Sequence, residues 1–174
     1  MTLIEKAKAF VMPFYTKKDI AHDFRHIQRV LRTARRLAER YEADDELIDL
    51  GALFHGVIHI DEKQVTDFLH AEGLPEGRIA SIVQAAWDSQ VGREPVLLEG
   101  KILHDAHLLE GGKTFWVVKT LILGTARGET LQETLEFYRT HRSSSRCSLP
   151  ESQEEFEEKV RFTREFFDDL SENV

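Results

Sequence analysis

The chain has 174 residues, of which 41% are hydrophobic and 31% charged, and its formal net charge is -8 at pH 7. That length suits one domain with a real buried core. The acidic balance excludes a broad surface for nucleic-acid backbone or anionic membrane, since both demand clustered Lys and Arg. A local basic pocket for a small phosphate stays open.

No run approaches the roughly eighteen apolar residues that a membrane-spanning helix needs. The first twenty residues carry Asp19 and several lysines where a signal peptide would be uninterruptedly apolar. A single cysteine, Cys147, cannot form an internal disulfide. These features lead to the expectation of a reducing, cytoplasmic setting. Cys147 lies in the polar stretch "RSSSRCSLP", which reads as a surface loop with an exposed, inert thiol.

Helical periodicity dominates the rest. Ile27, Val30, Leu31, Ala34, Leu37, Ala38 and Tyr41 recur at three- and four-residue steps, and Thr16 or Asp19 is placed to cap that helix or a short one before it. A helix is predicted from about Asp45 to Ile58, another from about Glu62 to Glu72 ending at Gly73, and a further one from Pro75 to Asp88. "SQVGREP" breaks the pattern, and the next helix begins near Leu97 and carries Ile102, Asp105, Ala106 and Leu109. "TFWVVKTLILG" is β-branched enough to suggest a strand, but its length and its place between helices favour a buried helix. Amphipathic helices follow over Thr130–Arg142 and Ser152 to about Leu170, the last opening on the acidic run "ESQEEFEEK". Trp87 and Trp116 read as core fillers, and Lys17-Lys18 and Arg35-Arg36 as solvated faces.

Three polar groups fall on inward faces. His26 precedes Val30 by one helical turn, His55 follows the apolar "LGALF", and Asp105 comes three residues after Ile102. A buried carboxylate costs several kcal/mol or so unless it is paired or coordinates a metal, so these groups are expected to seek each other or an ion.

The segments "HDFRHIQRVLRTARRLAE", "DDELIDLGALFHG" and "EGKILHDAHLLEGG" resemble the HD superfamily of metal-dependent phosphohydrolases, whose pattern is H, an adjacent H-D doublet, and a distant D. The resemblance covers most of the chain and is strongest to small single-domain bacterial members. It implies an all-α, HD-domain-like bundle of about seven or eight helices, forming a single domain over residues 1–174. The metal-site core would span about 20–110, with C-terminal helices over about 113–170. His26, His55 and Asp105 match the ligand positions, with 29 residues between the first two and 50 between the last two.

The departures are specific. Gly56 stands where the doublet aspartate belongs, His107 where the second aspartate of a D-A-D motif is expected, and Glu110 where the third is. His59 replaces an acidic residue that commonly follows the doublet, and Trp87-Asp88 occupies a region where some subfamilies add histidine ligands. The resemblance therefore implies one divalent transition metal (Zn, Fe or Mn) on His26, His55 and Asp105, and makes a two-metal site improbable. His59, His104 or His107 is available as a fourth ligand. His22, Arg25 or Lys63 would bind phosphate or donate a proton, with Asp23 orienting His22 or serving as an outer hydrogen-bond acceptor. The expected ligand is a small phosphorylated molecule such as a nucleotide, with no long nucleic acid or membrane partner.

Two readings stand at this point. One is a metal-dependent phosphohydrolase. The other is an inactive relative in which His26 or His55 is hydrogen-bonded to Asp105, and the cleft binds an anionic ligand or a protein. Individually, His59, His70, His104, His107 and His141 read as surface residues or outer hydrogen-bond partners. If position 56 is helical, Gly56→Asp would restore the doublet at modest cost.

Overall fold

A computed structural model describes every residue except 17, 20, 142–144, 173 and 174, and the side chain of His141 is also not described. The expectations for Lys17, Arg142 and the His141 side chain thus fall outside the described residues. Among the described residues the chain forms nine α-helices and no strand. None of these helices is long and apolar enough to cross a membrane. The chain divides into two compact units, Met1–Glu110 and Gly111–Val174.

The first unit contains α1 (Leu3–Tyr15), α2 (Phe24–Ala38), α3 (Asp45–Phe54), α4 (Glu62–Ala71), α5 (Glu76–Asp88) and α6 (Leu98–Leu108). Side-chain caps start several of them. Asp23 accepts from the His26 amide at 3.2 Å, Asp44 from Leu47 at 2.9 Å and Asp61 from Gln64 at 2.9 Å, each satisfying an orphan donor of a first turn. Asp23 is therefore the cap of α2, a role expected of Thr16 or Asp19.

Helix α3 is the centre of this unit. It packs against α1, α2, α5 and α6, and all its residues from Leu50 to Phe54 are buried. A helix apolar on every side belongs in the middle of a bundle. Gly51 allows the close approach, because a Cβ there would lie 2.7 Å from Leu103 on α6 and 3.2 Å from Ala85 on α5. The crossing brings the C-terminal ends of α3, α5 and α6 together, and those ends carry the site. The predicted helix to Ile58 stops at Phe54, with residues 55–60 in tight turns.

The second unit contains α7 (Lys113–Ala126), α8 (Leu131–His141) and α9 (Pro150–Glu172). Val117, Leu135, Tyr138 and Phe167 form its core, flanked by Leu121, Leu131, Phe162 and Leu170. "TFWVVKTLILG" is indeed helical, as the core of α7. Trp116 is buried edge-on against Phe156, as expected. Cys147 is half-buried rather than exposed, since its amide is tied to Gln153 Oε1 at 2.8 Å.

Candidate metal centre

His26 sits in the first turn of α2, His55 caps the end of α3, and His107 lies in the last turn of α6. One ring nitrogen from each lies within 4.8 Å of the others. The ring centroids are 5.5 Å apart for His26 and His55, 5.2 Å for His26 and His107, and 4.4 Å for His55 and His107. His26 and His55 are buried and His107 is half-buried.

Each of these imidazoles has its Nδ1 turned to an oxygen. His26 Nδ1 lies 2.9 Å from Glu110 Oε1, a carboxylate that is itself buried and also takes Arg29 Nε at 2.5 Å. His55 Nδ1 lies 2.7 Å from Ser89 Oγ. That hydroxyl gives its one hydrogen to the Ala86 carbonyl at 2.6 Å, so it accepts from His55 in the tautomer protonated at Nδ1; Gln90 Nε2 also lies 3.1 Å from this nitrogen. Gln90 Nε2 holds the His55 carbonyl at 2.7 Å and fixes the backbone beneath the ring. His107 Nδ1 lies 3.2 Å from the Ser89 carbonyl oxygen. An Nδ1–H donated to oxygen puts the imidazole lone pair on Nε2 in His55 and His107, the arrangement that usually orients a metal-binding histidine, while His26 Nδ1 is within ion-pair range of the Glu110 carboxylate. Ser89 alone serves two of them, one through its side chain and one through its backbone.

The cleft beside these rings has a volume of about 500 Å³ and is lined by Lys18, Asp19, His22, His26, His55, Gly56, His59, Gln90 and His107. His22 Nδ1 is 2.9 Å from Asp19 Oδ2, and Asp19 also accepts from the Ala21 amide at 2.8 Å. Burial pushes the Asp19 carboxyl up, but the bonds from His22 and the Ala21 amide outweigh it and hold the group below its ordinary range. Asp19, and not Asp23, thus orients His22.

Tyr15 and Lys18 occupy the place where an aspartate side chain at position 56 would go. The Tyr15 hydroxyl accepts from the Gly56 amide at 3.0 Å and donates to the Leu53 carbonyl at 3.3 Å. Burial pushes the phenol well above its usual range, so it is neutral. Lys18 Nζ donates to the Gly56 carbonyl at 2.7 Å and sits 4.7 Å from the centre of the Tyr15 ring. Burial pulls the Lys18 ammonium below the usual lysine range, and the Asp19 charge opposes that pull. A Cβ on Gly56 would overlap the Tyr15 hydroxyl and lie 2.9 Å from both Tyr15 Cε1 and Lys18 Nζ. The modest cost expected for an aspartate here is therefore overturned.

The structure thus joins His26 and His55 to His107. Asp105 is fully buried on α6, with Oδ1 3.0 Å from His104 Nδ1, and belongs neither to the histidine group nor to the residues lining the cleft. His22 lines the cleft, whereas Arg25 is exposed and Lys63 is exposed and paired with Asp67 at 2.5 Å; neither lines it. His59 is exposed at the cleft's edge. Asp88 accepts from the Val96 and Leu97 amides, each at 2.9 Å, and holds the start of α6. Trp87 is only half-buried, because its indole N–H reaches Glu62 at 2.7 Å and Arg93 stacks on its ring. The sequence reading did not identify Ser89, Tyr15 or Lys18 as site residues.

No known family profile matches the chain. Among curated proteins, the uncharacterized protein YpgQ of Bacillus subtilis is 20% identical over 190 residues, covering 98% of this chain and 93% of its own. Among solved structures, a Lactobacillus plantarum protein superposes with a TM-score of 0.81 at 17% identity, covering 98% of this chain and 97% of that one. An HD-superfamily hydrolase from Bacillus thuringiensis gives 0.70 at 22% identity, covering 97% and 94%. YpgQ in complex with ADP gives 0.73 at 18% identity, covering 98% and 97%. The chain shares the all-α fold of these proteins.

Proposed function

We propose that this protein is an HD-superfamily hydrolase that holds one divalent transition-metal ion on His26, His55 and His107 and acts on a small phosphorylated molecule. The observation that carries the reading is the convergence of three imidazoles, each offering a ring nitrogen within 4.8 Å of the others, with oxygen acceptors at the Nδ1 of His55 and His107. Three neutral imidazoles suit zinc, and also iron or manganese, with coordination positions left for water and substrate. The HD-superfamily hydrolase among the structural neighbours supports the reaction class. YpgQ in complex with ADP supports a nucleotide as the ligand.

A bound divalent ion would supply Lewis acidity, making water a better nucleophile at neutral pH and polarising a phosphoryl oxygen. The chain's own residues would do the rest. His22, clamped by Asp19 through Nδ1, holds or moves a proton at Nε2 on the cleft side. Gln90 and Ser89 keep His55 from turning, and Glu110 with Arg29 does the same for His26.

Metal analysis of protein purified without chelator or polyhistidine tag tests this reading. About one equivalent of metal is expected. It should be lost in His26→Ala and His107→Ala and kept in Asp105→Asn, with phosphate-ester hydrolysis following the metal. Loss in Asp105→Asn with retention in His107→Ala would restore the two-histidine, one-carboxylate set. The filled space at Gly56 favours a second reading, a binding protein without turnover. That reading requires ADP binding by protein that stays inert with zinc, iron and manganese.

A further inference from the structure

The place of the missing doublet carboxylate holds a cation. Lys18 Nζ lies 2.9 Å from the point where a Cβ on Gly56 would be, and it bonds the Gly56 carbonyl. An aspartate there would bring charge -1 against the site; the ammonium brings +1. Among the described residues lining the cleft, Lys18 is the only lysine or arginine. The one carboxylate among them, Asp19, is bound to His22. The remaining lining side chains are imidazoles and the amide of Gln90. The Asp19 charge acts on Lys18 as well as on His22, but Asp19 makes no hydrogen bond to the ammonium, so an entering anion meets the one lysine of the cleft with only imidazoles and an amide around it.

The ammonium is also held in place. It has three donors, of which one goes to the Gly56 carbonyl, and the ammonium itself sits over the Tyr15 ring, 4.7 Å from its centre. Tyr15 is in turn pinned by its bonds to the Gly56 amide and the Leu53 carbonyl. A lysine fixed this way loses little freedom on meeting a ligand, unlike the surface lysine Lys63.

We infer that Lys18 is the phosphate-recognition residue of this cleft, and that the ligand presents a terminal phosphate to the ammonium beside Gly56. The inference deepens the proposed function by naming the group recognised, and it rests on that reading only for the reaction, not for the binding. It also gives a physical sense to the loss of the doublet aspartate. The exchange at this position removes an anion that would repel phosphate and supplies one of the donors that bind it.

The test is calorimetric titration of the full chain with inorganic phosphate, ADP and adenosine, with metal content measured on the same samples. Lys18→Gln keeps a donor for the Gly56 carbonyl and removes the charge; Lys18→Arg keeps the charge. Phosphate and ADP binding should weaken by about tenfold or more in Lys18→Gln and by no more than about threefold in Lys18→Arg. Metal content should not change in either. Adenosine, which lacks phosphate, should bind the unaltered chain at least about tenfold more weakly than ADP. Lys18→Gln binding phosphate as the parent does, Lys18→Arg as weak as Lys18→Gln, or adenosine binding as tightly as ADP would each overturn the inference. A parent chain that binds neither phosphate nor ADP would do so as well. Metal-free protein that still binds phosphate in a Lys18-dependent way supports it while overturning the metal reading.

Discussion

Gly56 offers the sharpest perturbation. At an unstrained site, Gly→Ala usually stabilises by about 0.4–1 kcal/mol, because the unfolded chain loses freedom. Gly56 reverses that sign. Its new Cβ would overlap the Tyr15 hydroxyl and press on Tyr15 Cε1 and Lys18 Nζ, both 2.9 Å away. Lys18 is long enough to yield, but Tyr15 is a rigid ring, 3% exposed and bonded at its tip. Overpacking of this kind costs about 1–3 kcal/mol. Displacing the ring also loses the bond from the Gly56 amide, worth about 1 kcal/mol. Gly56→Ala and Gly56→Asp should therefore cost about 2–4 kcal/mol, a fall in melting temperature of roughly 5–15 °C for a chain of this size. Thermal unfolding followed by circular dichroism, with Tyr15→Phe as the second arm of a double-mutant cycle, measures it. Tyr15→Phe removes the nearest obstructing atom, so the double variant should be more stable than additivity requires by about 1 kcal/mol or more. A neutral or stabilising Gly56→Ala, or strict additivity with Tyr15→Phe, would show that Tyr15 does not fill this space.

Further outcomes follow from the same geometry. Ser89→Ala removes the acceptor that fixes His55 and leaves the carbonyl that serves His107. It should lower metal affinity by roughly 10–100-fold in a chelator competition, and unchanged affinity would show that Ser89 orients nothing. Hydrogen bonds from Arg78 hold the Asp44 carboxyl below its ordinary 3.8, outweighing burial, with help from the Leu47 amide. A folded value below the unfolded one stabilises above about pH 4 and is lost as pH falls through the lowered folded value. Asp44→Asn keeps a competent cap, so the parent should exceed it by at most about 1 kcal/mol at pH 6, the pair being partly exposed. That gap should close by about pH 2 in urea unfolding, and a gap that persists there would assign it to packing.

Much of this fold is legible from periodicity, since helices of three or more turns declare their buried stripe. Helix α1 is the element missed. Pro13 lies inside it and argues against a helix, yet Thr2 and Glu5 form a reciprocal capping box, and Ala7, Val11 and Tyr15 recur every four residues. That omission hid Tyr15, and Lys18, expected on a solvated face, is half-buried in the cleft; their contacts with Gly56 span 41 and 38 residues and leave no trace in local pattern. The histidine group was half legible. His26 and His55 stand on apolar faces, but the aspartate expected from the HD pattern drew attention to Asp105. Residues two apart on a helix point to nearly opposite sides, at about 100° per residue, so Asp105 and His107 were alternatives from the start. Spacing alone poses that choice, and the crossing of α3, α5 and α6 brings His107 beside His55 and His26. Ser89 had no sequence signal, because one serine after an aspartate at a helix end looks like any C-terminal cap.

The departures from the HD pattern account for one another physically. Where the HD pattern has a carboxylate at position 56 this chain has none, and in the proposed site His107 would supply a neutral donor from the position where the second aspartate is expected. Glu110, at the position of the third, faces the Nδ1 of His26 from behind instead of entering the cleft. Lys18 then fills the vacated place beside Gly56. Had only Lys18 been introduced, it would have met an aspartate and neutralised it. Set beside the HD pattern, neutral imidazoles and an ammonium stand where acidic groups are expected, a composition that would favour anions over cations. Affinity for a metal and affinity for a phosphate should therefore respond to different residues. The histidine variants should move the first and the Lys18 variants the second.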